Sequence, residues 1–452
     1  MTDTGKLMQE FQHMAARAMK AASRAGADAA DVLITGGESV EIEVREGALE
    51  HLERSDGASL GLRVMVGRRQ AVVSLGDPAR ADMDEAAERA VAMAKAAPED
   101  PYAGPAEPEE IARDWPDLDL MDDFSIDGKR LEEMALACEA AALAVPGVTK
   151  SAGAGASASR SFVYLAVSNG FCGGYGRTGY GVSAAVIAGE GTEMQRDYEY
   201  DMKSHLSDLK DPEEVGREAG ERTVRRLNPR KPESMTGAPV IFERRIAGSL
   251  AGHLASAVNG RSIARGASFL KDCMDSRILP EGVHVMDDPH MLRGPASKPF
   301  DGEGLLPERL EVVSDGILRA WILDLASARQ LGLKSNARAS RRLASPPAPA
   351  ATNFHIAAGS ASPRDLMGSV KRGLLVTELI GMGVNEVTGD YSRGASGFWI
   401  ENGEIVHPVS EVTIAGNLRD MFLHVTPADD LEFRSGHSAP TLLVEGMTIA
   451  GR

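Results

Sequence analysis

The sequence predicts an α+β protein: an N-terminal domain holding a helix-strands-helix unit twice, then a C-terminal domain of mostly antiparallel β structure. Three observations carry this. Near the amino end apolar residues step by three and four, the period of an amphipathic helix. After it, short stretches alternate apolar and charged residues around glycines, the period of half-buried strands. The same order returns beyond a proline-punctuated connector, AAPEDPYAGPAEPEE, and from Ala238 onward short β runs surround tight turns.

Taken in order, Leu7, Phe11, Met14, Ala18, Ala22 and Ala25 place the first helix. Val40, Ile42 and Val44 alternate with charges, and Gly57 and Gly67 mark the expected turns of the following strands. Asp77-Pro78 offers a capping acceptor and a first-turn proline to an alanine-rich helix reaching about Lys95. In the second unit Leu131, Met134, Cys138, Ala141 and Val145 make a helix, SFVYLAVSNG and TGYGVSAAVIAGEG make strands, and Asp211-Pro212 opens a helix through Val215, Ala219 and Val224. The repeated cap points to a duplication, about 1–97 and 109–230, inside a domain 1–235; two unrelated layers are the alternative. NPRKPESMTG leads into the second domain, 236–452. There Asp315-Gly316, Asn402-Gly403 and Glu445-Gly446 are the expected turns, and KSNARASRRLASPPAPAATN, basic and proline-rich, reads as a mobile surface loop.

A net charge of -17 repels phosphate backbones and anionic lipid, which argues against a nucleic-acid partner. The amino end is charged and helix-periodic rather than secretory, and no apolar run is long enough to span a bilayer, so the cytoplasm is the expected compartment. Cys138, Cys172 and Cys273 are odd in number and far apart, giving neither a disulfide framework nor a C-x-x-C knuckle.

GSLAGHLASAVNG, from Gly248 to Gly260, is the first chemical candidate. Ile246, Leu250, Leu254 and Val258 form one apolar stripe, with Asn259-Gly260 as a stop. His253 at its edge reads as a hydrogen-bonded core histidine, a metal ligand, or half of a pair with Ser249. Zinc asks for about three or four converging His, Cys or carboxylate groups, and this helix holds one. Ser268-Phe269-Leu270-Lys271 matches S-x-x-K without its companion motifs. GGYGRTGYG, Gly173 to Gly181, does not join strand to helix as a phosphate cradle does; its glycines are expected to relieve crowding in bulged strands. Between Gly381 and Asn417 lies the densest polar and aromatic group. There Asp390, Tyr391, Arg393, Phe398 and Trp399 are candidates to face a substrate or partner.

On PVIFERRIAGSLAGHLASAVNG, ASKPFDGEG, DGILRAWILDLASARQLGLKS and VTELIGMGVNEVTGDYSRGASGFWIENGEIVHPVSEVTIAGNL the chain resembles the TldD/PmbA family, in its PmbA (TldE) branch. The resemblance implies a cytoplasmic metallopeptidase pair that cuts peptides or unfolded segments in an enclosed cavity. It implies further that zinc sits in the TldD-like partner, on H-E-x-x-x-H and a cysteine near the carboxyl end. With the shared glycine at Gly260, Ala251 and Gly252 stand at the His-Glu pair and Ser256 at the second histidine, and EFRSGHSAPTLL has no cysteine. The implied role is a noncatalytic partner that binds no cofactor itself; exposed β edges point separately to self-association, a homodimer among the outcomes, when the partner is absent. The competing readings are a self-sufficient hydrolase using His253, His284, His290 or His437, and a regulatory binding protein without proteolysis.

Overall fold

The structure, a computed structural model, describes residues 3–123 and 127–452. Its first unit runs α1 (Asp3–Arg24), β1 (Ala29–Arg45), β2 (Ala48–Val66), β3 (Arg69–Leu75) and α2 (Met83–Ala96). The second repeats the order as α3 (Gly128–Leu143), β4 (Val148–Val167), β5 (Cys172–Ala188), β6 (Gln195–Lys203) and α4 (Pro212–Arg225). All six strands form one antiparallel sheet, β3-β2-β1-β4-β5-β6, so the units join where β1 pairs with β4. Helix-strands-helix therefore occurs twice. Each helix pair buries its own half of the sheet: Phe11, Ala18, Ala87 and Val91 cover Ile34, Leu60 and Val64, while Leu131, Cys138, Val215 and Ala219 cover Val182 and Val186. α3 and α4 touch so closely that a Cβ at Gly216 would lie 2.0 Å from the Cys138 carbonyl oxygen. The sheet's other face is a trough of small residues, among them Gly155, Ser157, Gly181 and Ser183.

Local signals were partly misplaced. Gly57 lies inside β2 opposite Gly37, and the turn falls at Glu46-Gly47, both with positive φ. α2 is capped by Asp82, whose carboxylate accepts from the Asp84 and Glu85 amides, and not by Asp77; Asp211 caps α4 as expected. The glycines of β5 sit in continuous register with no bulge, and they make room for rings: a Cβ at Gly173 would lie 2.7 Å from Trp115, and one at Gly176 would lie 2.8 Å from Phe162.

The second domain opens with β7 (Met235–Phe242), α5 (Arg244–Ala257) and α6 (Gly260–Ala264). It continues through β8 (Val285–Asp287), β9 (Leu310–Ser314), β10 (Ile317–Leu318), α7 (Leu325–Leu331), β11 (Ala339–Arg342), β12 (Ser345–Pro349), β13 (Phe354–Ile356) and α8 (Pro363–Gly368). It ends with β14 (Arg372–Ile380), β15 (Asp390–Glu401), β16 (Glu404–Asn417), α9 (Leu418–Leu423), β17 (Val425–Pro427), β18 (His437–Ser438) and β19 (Leu442–Ala450). Besides the two-stranded β11–β12 sheet, two larger sheets result, β16-β15-β14-β7-β19-β17 and β10-β9-β8-β13-β18, antiparallel except for the β7–β14 and β13–β18 pairs. α5 lies between them, against β14 on one side and β13 and β18 on the other. Asp315-Gly316 and Asn402-Gly403 adopt the left-handed turns expected of them, whereas Glu445-Gly446 is a bulge inside β19.

The basic, proline-rich segment is not a mobile surface loop. It folds into the β11–β12 hairpin and sinks Arg338 and Arg341 into the protein. Arg338 pairs with Asp287, both side chains fully buried, and also donates to the Asn336 and Glu308 carbonyls. Arg341 donates to Asp31 of β1 at 2.9 Å, and Arg63 of β2 pairs with the same carboxylate. Burial alone would raise the Asp31 carboxyl, but Arg63 and Arg341 hold it below the usual range. A charge-laden hairpin thus rivets the two domains together. The connector is fastened too: Arg329 donates to the carbonyls of Tyr102, Gly104 and Pro105.

Candidate functional site

The apolar stripe of α5 sits where its spacing puts it, with Leu250, Leu254 and Val258 buried. The opposite face, Arg245, Gly248, Ser249 and Gly252, opens onto a cleft of about 460 Å³. Its far wall is His437 and Ser438 of β18 with Arg434 before them; Glu378 of β14, Arg393 of β15, and Tyr198 and Tyr200 of β6 complete it. Tyr198 and Tyr200 also border the trough over the central sheet, so cleft and trough share a wall.

Helix and strand meet tightly here. A Cβ at Gly248 would lie 2.6 Å from the His437 carbonyl oxygen, so no side chain fits at that position without moving β18. One at Gly252 would sit 3.9 Å from the His437 ring, which leaves room. Ala251 is fully buried and points into the core, and Ser256 does not line the cleft. Of the three positions that the resemblance puts at the vacated ligand sites, Gly252 alone lines the cleft, beside Gly248 and Ser249.

Ser249 Oγ donates to its own helix at the Ile246 carbonyl, 2.7 Å away, which rules out the Ser249–His253 pairing. His253 is half-buried, its ring edge-on to Tyr391 at 6.0 Å between centroids, and its buried Nε2 has no hydrogen-bond partner. Burial, then the neighbouring Arg393, depress its pKa against a smaller opposing pull from Glu386, so it is neutral near pH 7. The expectation of a hydrogen-bonded core histidine fails on that bare nitrogen. Burial likewise depresses His437. His284 pairs at the surface with Glu311 at 2.7 Å, and His290 follows β8; neither lines the cleft.

Of the five residues proposed to face substrate, Arg393 alone lines this cleft. Tyr391 and Trp399 are 1% and 3% exposed and serve the core, with Trp399 Nε1 donating to Glu401. Buried Phe398 borders a neighbouring cavity of about 550 Å³, with Arg225 over its ring at 5.0 Å. Asp390 is exposed and accepts from Thr388 Oγ1 and Asn417 Nδ2, ordering its own turn. Sequence reading missed Arg244, Arg245, Arg434, Tyr198 and Tyr200. The Tyr-x-Tyr spacing in DYEYDM, two rings on one face of a strand, was the available signal.

The cleft's charges are largely matched. Arg245 pairs with Asp197 at 3.0 Å and stacks over Tyr198; Arg434 pairs with Glu199 and stacks over Tyr200. Arg244 faces Glu432 at 3.3 Å, and Glu378 pairs with Arg226. Arg393 has no ion-pair partner among the described residues, and its buried Nε is unbonded. Among the described residues no three His, Cys, Asp or Glu side chains converge to hold a metal ion.

An α+β chain with a helix clamped between β sheets over a polar cleft defines the class. Within it, the PmbA/TldA metallopeptidase domain 1 matches residues 30–94, the central domain 121–227 and the C-terminal domain 235–451. The chain is 39% identical to the metalloprotease PmbA of Escherichia coli O157:H7 over 94% of its own length and 93% of that protein's. It is 36% identical to the PmbA homologue of Haemophilus influenzae over 98% and 96%. A Bacteroides thetaiotaomicron crystal structure described as a modulator of DNA gyrase superposes with a TM-score of 0.90 at 26% identity, covering 98% of this chain and 99% of that one. TldE from Thermococcus kodakarensis shares the fold, with a TM-score of 0.84 at 20% identity over 96% and 99%. The chain belongs to the PmbA/TldD family of metallopeptidases.

The family implies a metal, and the residues of this cleft do not fit one. Zinc asks for about three or four strong donors. The side of α5 that lines the cleft offers two glycines, Gly248 and Gly252, and a Ser249 hydroxyl already bonded to its own helix, and the space at Gly248 is closed by β18.

Proposed function

We propose that this chain is the noncatalytic, PmbA/TldE-type subunit of a cytoplasmic zinc peptidase whose metal and catalytic groups lie in a TldD-like partner. The observation that carries the reading is Gly248: the position facing the cleft has neither a donor atom nor room for one. In this reading the chain works by shape and charge. It closes the chamber around the partner's site and positions an extended peptide or unfolded segment along the trough and into the cleft past Tyr198 and Tyr200. An enclosed chamber admits extended chain and excludes folded domains, and exposed strand edges grip such chains by β addition. Without its partner the subunit pairs with itself through the surface it otherwise offers. Among the described residues no helix is long and apolar enough to cross a membrane.

The test is a peptidase and zinc assay of this chain alone, a partner bearing H-E-x-x-x-H alone, and the mixture. Chelator-sensitive cleavage in the mixture, with no zinc on this chain, is expected. Stoichiometric zinc with cleavage by this chain alone would overturn the proposal. A partner that neither binds it nor gains activity favours a regulatory protein.

A further inference from the structure

Arg393 lines the cleft with a buried Nε that has no hydrogen-bond partner, and its guanidinium has no ion-pair partner among the described residues. His253 and Tyr391 pack against each other beside the cleft without lining it, and both feel the Arg393 charge. A buried donor without an acceptor is costly, and a guanidinium left unpaired at the wall of a cleft describes a site shaped for something that accepts hydrogen bonds. We infer that the cleft is a carboxylate-binding site, in which Arg393 supplies the fixed positive charge and the hydrogen bonds.

Ion pairing singles out Arg393. Arg245, Arg434 and Arg244 pair with Asp197, Glu199 and Glu432, of which Asp197 and Glu199 are shared with Arg226 and Arg222, whereas Arg393 pairs with no acid among the described residues. A carboxylate fits its planar fork with two parallel hydrogen bonds. The shared wall of Tyr198 and Tyr200 lets the rest of a peptide run from the cleft onto the trough of small residues. A guanidinium thus stands in the cleft that lacks metal donors, able to hold an oxygen of the substrate without activating water. The carboxylate belongs to a peptide, at its carboxyl end or on an acidic side chain.

The inference rests on the peptide-positioning reading above and fails separately from it, since it is read by binding to this chain alone. A fluorescent extended peptide is prepared as the free acid, as the carboxyl amide, and as the amide with one internal Glu. The three are titrated by anisotropy against the wild type, Arg393→Gln and Arg393→Lys. A charge-assisted bond in a partly buried site corresponds to about tenfold or more in affinity. At least one carboxylate-bearing peptide is therefore expected to bind about tenfold tighter than the plain amide. The free acid winning identifies a terminus reader, and the Glu peptide winning identifies a side-chain reader. Arg393→Gln abolishes the difference, and Arg393→Lys restores part of it. Equal binding of all three peptides, no binding of any, or a difference that survives in Arg393→Gln would overturn the site while leaving the zinc and peptidase assays unaffected.

Discussion

Two arginines of this molecule, the buried Arg338 and the half-buried Arg393, have opposite fates. At the domain seam Arg338 spends its donors on the Asp287 carboxylate and on carbonyl oxygens, and Asp287 also accepts from the Thr352 amide and hydroxyl. At the cleft Arg393 has an unbonded Nε, a bare imidazole and a bare phenol beside it, and no counter-ion among the described residues. The first arrangement is complete without a ligand and the second is not. The difference separates a charge kept for architecture from one kept for recognition, and it can be broken by substitution.

The largest effect is expected at the seam. Arg338→Ala strands a fully buried Asp287 carboxylate, and removing one partner of a buried ion pair costs about 3–5 kcal/mol. Arg393→Ala strands nothing and should change stability by no more than about 1 kcal/mol. Urea unfolding of the two variants checks the contrast. Equal losses would mean that Arg393 is structural after all.

Next in size is a pH effect close to the seam. Asp301, fully buried, accepts from the Glu303, Leu305 and Ala339 amides, with Lys298 nearby. Burial nevertheless pushes its carboxyl up to about 6. Burial, then Asp301 and Asp324, raise Glu303 as well. The sign follows from linkage: a carboxyl whose folded pKa lies above its unfolded one stabilises the protein more as pH falls through the folded value. Asp301→Asn lacks this titration. The wild type should therefore gain thermal stability relative to the variant between about pH 7.5 and about pH 5. A constant or opposite difference in Tm across that window would show that Asp301 remains charged throughout.

How much of this was legible depended on range. The stripe of α5 was readable because Leu250, Leu254 and Val258 repeat with the helix period, and the turns at Asp315-Gly316 and Asn402-Gly403 because left-handed pairs favour those residues. Composition misled where distant partners decide. Arg338 and Arg341 look like loop charges until Asp287 and Asp31 are brought beside them, and Tyr391 and Trp399 look like surface aromatics until the second domain closes over them. Gly57 and Glu445-Gly446 carry turn chemistry that the sheet spends inside strands. At the site, Arg393 was identifiable as a candidate, but its lack of a partner is a property of three dimensions. So is the closure of Gly248 by a carbonyl from a strand 189 residues away in sequence, His437 minus Gly248.

The smallest effect sharpens the contrast most. Tyr391→Phe removes a hydroxyl that is buried and unbonded while keeping the ring against His253. If that hydroxyl merely served the fold, its loss would cost the protein about 0.5–1.5 kcal/mol, as deleting a made hydrogen bond does. With no bond to lose, the variant instead sheds a desolvated polar group, and its stability should be unchanged or higher by up to about 1 kcal/mol. Phenylalanine at this position should therefore leave or raise Tm and, because the side chain lies in the core behind the cleft wall, leave peptide affinity to the Arg393 contrast alone. A drop in Tm would show that the hydroxyl makes a bond in the folded protein, and a loss of peptide affinity at constant Tm would carry the binding site past Arg393 to Tyr391.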